Sequence, residues 1–225
     1  MDFSAHLDDP PVAMHIQTMT STPKSAALSR ICVYCGSGPG TDPAFIEAAT
    51  ALGTAMARNG IGLVYGGGDM GMMGAVADAV QRHGGAVTGI IPEFLLNKER
   101  AGFNGEGLIV TRDMHERKRT MFDMADAFVA MPGGIGTLEE IVEQMTWAQL
   151  GRHKKPILLA NVKGFWDPLS ALLDHMKALA FIRQGLDFDL LVADKVDDIL
   201  PMLRKAMQGV SETAKDMPAS VAEKL

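Results

Sequence analysis

Between residues 30 and 208 the chain alternates short apolar runs with longer stretches in which apolar residues recur every three or four positions. The short runs are nearly continuous in apolar residues, as strands covered on both faces of a parallel sheet are. The longer stretches carry the 3.6-residue period of amphipathic helices. Seven strands are predicted: Ile31–Cys35, Ile61–Tyr65, Ala86–Ile91, Leu108–Val110, Ala127–Met131, Pro156–Ala160 and Asp189–Val192. Strand followed by helix, repeated in this way, predicts βα units and an α/β fold: a doubly wound, mainly parallel sheet of about seven strands with helices on both faces.

The punctuation agrees with this pattern. Asp42 before Pro43, and Asp167 before Pro168, each put a capping side chain ahead of a proline at the first helical position. Gly60 and Gly84 stand where a helix ends in left-handed backbone. Pro201 predicts a last helix that starts near Asp197 or Asp198, so that the proline falls in its first turn. Residues 1–29, with Pro10, Pro11, Pro23 and a Thr/Ser-rich stretch, have no apolar period, and 209–225 is small, polar and charged. Both are expected to be mobile tails around a single domain, 30–208.

Composition narrows the function. A formal net charge of -6 on 225 residues argues against a large sequence-independent nucleic-acid surface, which needs a basic footprint. Any phosphate must be held locally. No apolar run reaches the roughly 18 residues that span a bilayer, and the first thirty residues carry Asp2, Asp8 and Asp9 without an apolar signal core, so a cytoplasmic protein without a membrane partner is expected. Cys32 and Cys35 form a C-x-x-C, but their odd spacing on a strand sends the thiols to opposite faces. They read as buried apolar side chains, not as a redox or metal pair.

The candidate chemistry lies in the turns after the strands. The run Met131, Pro132, Gly133, Gly134, Ile135, Gly136, Thr137, Leu138, Glu139, Glu140 leaves a strand and enters a helix. Such a turn presents backbone N–H groups to an anion at a helix N-terminus, and Thr137 adds a hydroxyl. In an open α/β sheet it also lies at the carboxyl ends of the strands, where ligands bind. Glu139 and Glu140 are read as first-turn acids, which stabilise even an empty helix by about 0.3–1 kcal/mol. Beside a phosphate they would be repelled unless they served the reaction or paired with a cation. Leu138, Ile141, Val142, Met145 and Ala148 predict the buried stripe and leave the two acids on opposite flanks, so periodicity does not choose between them.

The cation is expected upstream, in Met114, His115, Glu116, Arg117, Lys118, Arg119, where basic residues crowd a helix start against its dipole. An anionic ligand accounts for them; a solvated charged face is the alternative. A third cluster, Tyr65 to Gly74, is dense in glycine. No acid ends the following strand, where the sequence reads Gly89, Ile90, Ile91, Pro92, Glu93, which argues against a nicotinamide-dependent dehydrogenase. Its glycines read as a ligand wall and a close helix–sheet contact. Cys35, Gly36, Ser37, Gly38 makes a fourth turn on the same edge.

Taken together, Tyr65 to Gly74, Met114 to Lys118 and Pro132 to Glu140 resemble the Lonely Guy family, the cytokinin riboside 5'-monophosphate phosphoribohydrolases, many of which carry the label "possible lysine decarboxylase". The resemblance covers residues 30–208. It implies a Rossmann-like fold, usually dimeric, that hydrolyses a purine riboside 5'-monophosphate to free base and ribose 5-phosphate without metal or redox cofactor. Carried over by position, it makes Arg117 and Glu140 the catalytic residues. It makes Glu99, Lys118, Gly133, Gly134, Ile135, Gly136, Thr137, Leu138, Glu139 and Thr146 the substrate contacts. Ile135 stands where the family more often has an aromatic residue, and Met72 where it has leucine; both exchanges bear on substrate preference.

The bond suggests the mechanism: cleaving C1'–N9 builds positive charge on the ribose, which Glu140 would stabilise or capture through an activated water, with Arg117 neutralising phosphate or orienting the leaving base. Nothing in the sequence points to a pyridoxal-phosphate lysine. The competing readings are a general AMP or nucleoside-monophosphate nucleosidase, a non-catalytic carrier of a phosphorylated cofactor with a similar glycine turn, and a scaffold with an idle site. A homodimer is expected, partly from the resemblance and partly from methionines clustered at Met70, Met72, Met73, Met114, Met121 and Met124.

Overall fold

The computed structural model describes residues 27–96, 107–182 and 189–215. All seven predicted strands form, each within one residue at either end: β1 Arg30–Tyr34, β2 Gly62–Tyr65, β3 Val87–Pro92, β4 Leu108–Thr111, β5 Ala127–Ala130, β6 Ile157–Ala160 and β7 Leu190–Ala193. They make one sheet in the order β4-β3-β2-β1-β5-β6-β7, and every neighbouring pair is parallel. The chain winds outward from β1 to β4 and then crosses back to β5, on the other side of β1. Consecutive connections leave β1 and β5 in opposite directions, which opens a crevice at their carboxyl ends.

Among the described residues six α-helices cover the sheet: α1 Pro43–Arg58, α2 Gly71–Arg82, α3 Met114–Met124, α4 Ile135–Gln149, α5 Asp167–Ala178 and α6 Val196–Lys215. On one face Leu52 and Met56 of α1, Val76 and Val80 of α2, and Ile199 and Leu203 of α6 pack on Ile31, Val33 and Val129. On the other Met121 of α3 and Ile141 and Met145 of α4 pack on Cys32, Val64 and Phe128. Burial on both faces is what made the central strands apolar at every position. It also separates the cysteines, Cys32 in one layer and Cys35 in the other.

Several boundaries follow the local chemistry. The Asp42 side chain accepts from Ala44 N at 2.9 Å, with Pro43 at the start of α1. Gly60 and Gly84 adopt positive φ beyond the ends of α1 and α2. Two expectations need correction. Helix α5 begins at Asp167 itself, because that carboxylate accepts from Asn161 Nδ2 at 2.8 Å and is not free to cap. Helix α6 begins at Val196, which puts Pro201 one residue past the predicted turn and leaves Asp197 without its i+4 donor. The same helix runs on past residue 208 to Lys215.

Candidate active site

The β5 turn is built against the β1 turn. Met131 N donates to Tyr34 O at 2.9 Å, and Gly36 N to Pro132 O at 3.1 Å. A Cβ on Gly133 would collide with the Thr137 side chain and lie 2.9 Å from Gly36 N, so Gly133 is glycine for packing. Gly134 and Gly136 differ: a Cβ at either would meet nothing within 4 Å. Neither has positive φ, so neither sterics nor conformation demands glycine there. Helix α4 starts at Ile135 with Gly134 as a cap that offers no side chain. Its first-turn donors therefore face outward around two glycines that packing does not require, the arrangement an incoming anion needs. Ile135 beside them is 81% exposed, and Thr137 is buried.

Because α4 starts at Ile135, Glu139 and Glu140 fall in its second turn, and its first turn has no acid. This corrects their reading as first-turn acids, since the dipole effect fades beyond that turn. The buried stripe is corrected too. Thr137, Ile141, Gln144 and Met145 are buried, Leu138 and Ala148 are half-buried, and Val142 is 41% exposed. Two polar positions thus replace part of the expected apolar stripe.

Arg117 comes from α3. Its guanidinium is 7% exposed and points into the sheet, where Nη2 donates to Gly66 O at 3.0 Å and Nε to Ile90 O at 3.1 Å. Those carbonyls stand at or next to the carboxyl ends of β2 and β3. A Cβ on Gly66 would overlap Arg117 Nη2, so this glycine makes the space the guanidinium occupies. The basic run does not oppose the helix dipole as expected. Asp113 caps α3 by accepting from Glu116 N at 2.8 Å, and Glu116 reaches back to Arg112 N at 2.8 Å, a variant of the capping box. These backbone hydrogen bonds hold both carboxyls below the usual carboxylate range.

Lys118 donates to Glu139 at 2.7 Å and to Glu143 at 2.9 Å, tying α3 to α4. Burial, the largest influence, works against its charge, yet the hydrogen bonds and charges of Glu139 and Glu143 together raise its pKa. Glu139 is thus an acid paired with a cation. Glu140 is half-buried, and its charge is felt at the carboxyl end of β1. Burial first, and Glu140 second, push the Cys32 and Cys35 thiols up; Arg117 pulls Cys32 back. The charges of Glu140 and Arg117 therefore both reach the middle of the sheet at β1. Thiols held protonated this way are inert.

Other expected contacts are not brought together. Thr146 is exposed, donates to Val142 O of its own helix at 2.8 Å, and lies about 13 Å along α4 from Thr137 at 1.5 Å per residue. Glu99 lies outside the described residues. The Tyr65–Gly74 glycines close a helix–sheet contact, with Gly71 against Ser37 and Gly38 and Gly74 against Asp69 O. The α2 N-terminus is already filled, because Met72 N and Met73 N donate to Gly36 O at 3.1 and 3.3 Å. Most of the methionines are core: Met72, Met73 and Met121 are buried, whereas Met70 is 62% exposed. Sequence reading missed Gly66 and Glu143. The spacing of Glu139 and Glu143, one helical turn apart beside an R-K pair, was the available signal for the second. Among the described residues no His, Cys, Asp and Glu side chains gather into a group that could hold a metal.

A parallel Rossmann-like sheet with an anion-receptive helix start, a buried arginine and a partly buried glutamate around one crevice defines a nucleotide-binding type of α/β protein. The chain matches the family described as "Possible lysine decarboxylase" over residues 73–203. It is 48% identical over 161 residues to the cytokinin riboside 5'-monophosphate phosphoribohydrolase LOG of Oryza sativa subsp. japonica, covering 72% of this chain and 66% of that one. It is 47% identical over 155 residues to LOG7 of Arabidopsis thaliana, which bears the same enzyme name, covering 69% and 71%. The chain belongs to this family, the Lonely Guy (LOG) proteins. Among solved structures, the molybdenum cofactor binding protein of Rippkaea orientalis superposes with a TM-score of 0.60 at 22% identity, covering 80% of this chain and 97% of that one, a likeness of fold.

Proposed function

We propose that this chain hydrolyses the N-glycosidic bond of a purine riboside 5'-monophosphate, releasing the base and ribose 5-phosphate. The observation that carries the reading is the meeting of three unlike groups at one crevice: the open Gly134–Gly136 helix start, the buried Arg117 and the half-buried Glu140. The names of the relatives give the same reaction. The helix start binds the 5'-phosphate, and that binding energy positions the sugar. As C1'–N9 breaks, positive charge grows on the ribose ring, and Glu140 stabilises it and directs a water to C1'. Arg117 is fixed by two backbone carbonyls with no flexible partner, so its charge is preorganised toward phosphate or leaving base. Gly133, Ile135, Thr137 and Leu138 shape the turn, and Lys118 with Glu139 borders it. Thr146 belongs to the same site only if a second subunit supplies it.

That consideration, together with the outer stripe of α4, supports a homodimer. Ile135, Val142 and Leu150, 81%, 41% and 68% exposed, recur on one side of the helix with Thr146 between them. An antiparallel twofold contact along this stripe brings the Thr146 end of one copy toward the Gly134 end of the other.

The test is incubation of the purified protein with AMP and isopentenyladenosine monophosphate, following free base by chromatography. Both a cytokinin-selective enzyme and a general nucleoside-monophosphate nucleosidase release base, and the ratio of rates tells them apart. Glu140→Gln removes charge with almost no change in volume, so turnover falls by at least about a hundredfold while nucleotide binding survives. Glu139→Gln costs less. Equal and small effects of the two substitutions would falsify the role given to Glu140, and nucleotide binding without base release by the unmodified protein would favour a carrier.

A further inference from the structure

We propose that Glu143 recognises the base, and that the groove between α3 and α4 is where the base lies. The inference rests on the hydrolase reading above and adds the atom that selects the ring. The groove is a cavity of about 270 Å³ whose lining includes Lys118, Arg119, Phe122, Glu143, Trp147 and Arg152. One oxygen of Glu143 accepts from Lys118, but the other, Oε2, is buried and has no hydrogen-bond partner among the described residues. A desolvated carboxylate oxygen without a donor is unfavourable, and a carboxylate accepts only. What enters the groove must therefore bring an N–H or O–H.

The walls specify the rest of the ligand. Trp147 and Phe122 meet edge to face with ring centroids 5.0 Å apart, a surface suited to a flat ring. The far side of Phe122 is covered by Lys155, whose ammonium lies 3.9 Å from the ring centroid. The groove also opens onto the proposed catalytic rim through Lys118, which is shared between Glu139 there and Glu143 here.

Helix α4 then acts as a ruler. At 1.5 Å per residue, Glu140 lies about 7.5 Å and Glu143 about 12 Å along the axis from Ile135 at the phosphate end. Glu140 and Glu143, three residues apart, project from neighbouring positions on one side of the helix. Phosphate, glycosidic carbon and base edge follow one another in the same order along an extended mononucleotide. Glu143 Oε2 is thus placed for the N–H on the six-position of a 6-aminopurine. That hydrogen is present in adenine and persists when the amine bears one substituent. A 6-oxopurine presents a carbonyl instead and meets the carboxylate oxygen to oxygen.

The test uses the full chain carrying Glu140→Gln, so that binding is read by calorimetry without turnover. AMP binds at least about tenfold more tightly than IMP, the effect of one hydrogen bond to a charged group. Adding Glu143→Gln brings the ratio toward unity, because an amide can serve either base. Adding Glu139→Gln instead, which also removes a Lys118 partner, leaves the ratio unchanged. Trp147→Leu weakens AMP but not ribose 5-phosphate, and this arm stands even if the Glu143 variant fails to fold. Equal binding of AMP and IMP, a ratio that survives Glu143→Gln, or equal loss of AMP and ribose 5-phosphate in Trp147→Leu overturns the proposal. So does a change of oligomeric state in these variants with the ratio intact, which makes the groove a subunit contact. Failure of the hydrolase reading shows separately, as absence of base release by the unmodified protein.

Discussion

At the scale of single residues, the position most exposed to a test is Gly66, which touches no substrate in the proposed mechanism. Its missing Cβ is the space occupied by Arg117 Nη2. Gly66→Ala therefore displaces the guanidinium while leaving β2 able to form, since alanine suits a strand at least as well as glycine. The expected outcome is a fall in kcat/KM approaching that of Arg117→Ala, with thermal stability lowered by about 1–3 kcal/mol, the usual range for overpacking. Steady-state kinetics beside a calorimetric melt decide it; unchanged kinetics would mean that the placement of Arg117 does not matter. The glycines of the α4 start divide in the same way. Alanine at Gly133 has to push aside Thr137, whereas alanine at Gly134 or Gly136 meets open space and should be felt mainly by a ligand.

At the scale of elements, α3 and α4 form the working unit, and Lys118 is its hinge pin. Lys118 and Glu143 expose only 15% and 22% of their side chains, so losing either leaves the other desolvated. The start of α3 depends on the reciprocal cap between Asp113 and Glu116. Both carboxyls are held below their ordinary range, so each stabilises the folded state above the usual carboxylate pKa, and that contribution is lost as pH falls through the lowered value. Acidification below about pH 4 should therefore loosen α3 ahead of the sheet. Asp113→Ala should lower the melting temperature at neutral pH and shrink its acid dependence. Hydrogen exchange in Met114–Met124, followed against pH, checks the order of events: protection lost first from β1 or β5 would contradict it.

At the scale of the whole molecule, the feature in need of explanation is the apolar stripe on the outside of α4. Scattered exposed apolar residues are ordinary, but Ile135, Val142 and Leu150 share one side of one helix that also carries the proposed site. A twofold partner would cover them and bring Thr146 to the neighbouring turn. Leu150→Glu sets two like charges facing each other in a symmetric contact or near it. The expected outcome is a monomer by light scattering at micromolar concentration, with reduced base release and little change in the melt of the isolated subunit. A Leu150→Glu chain that stays dimeric, or a monomer with full activity, removes this stripe from the account.

The sequence by itself determined the layers, because a strand buried on both faces is apolar along its length and an amphipathic helix shows its period, whatever else surrounds it. It determined the turns for a related reason: Asp42 with Pro43, Gly60 and Gly84 act on backbone a few residues away. The family motif likewise made Arg117 and Glu140 legible as chemistry. What the sequence could not decide was where those side chains go. The expected apolar stripe of α4 gave way at Thr137 and Gln144, and the crowd of cations at α3 dissolved into a cap, a buried arginine and an interhelical ion pair. The proline of α6 and the acid of α5 moved for tertiary reasons or small shifts of register. Each of these depends on contacts between residues distant in the chain: 51 positions separate Arg117 from Gly66, and 25 separate Lys118 from Glu143. Local pattern records the preferences of neighbours along the backbone, whereas a buried charge is assigned its partner only when the sheet has brought separate turns to one edge.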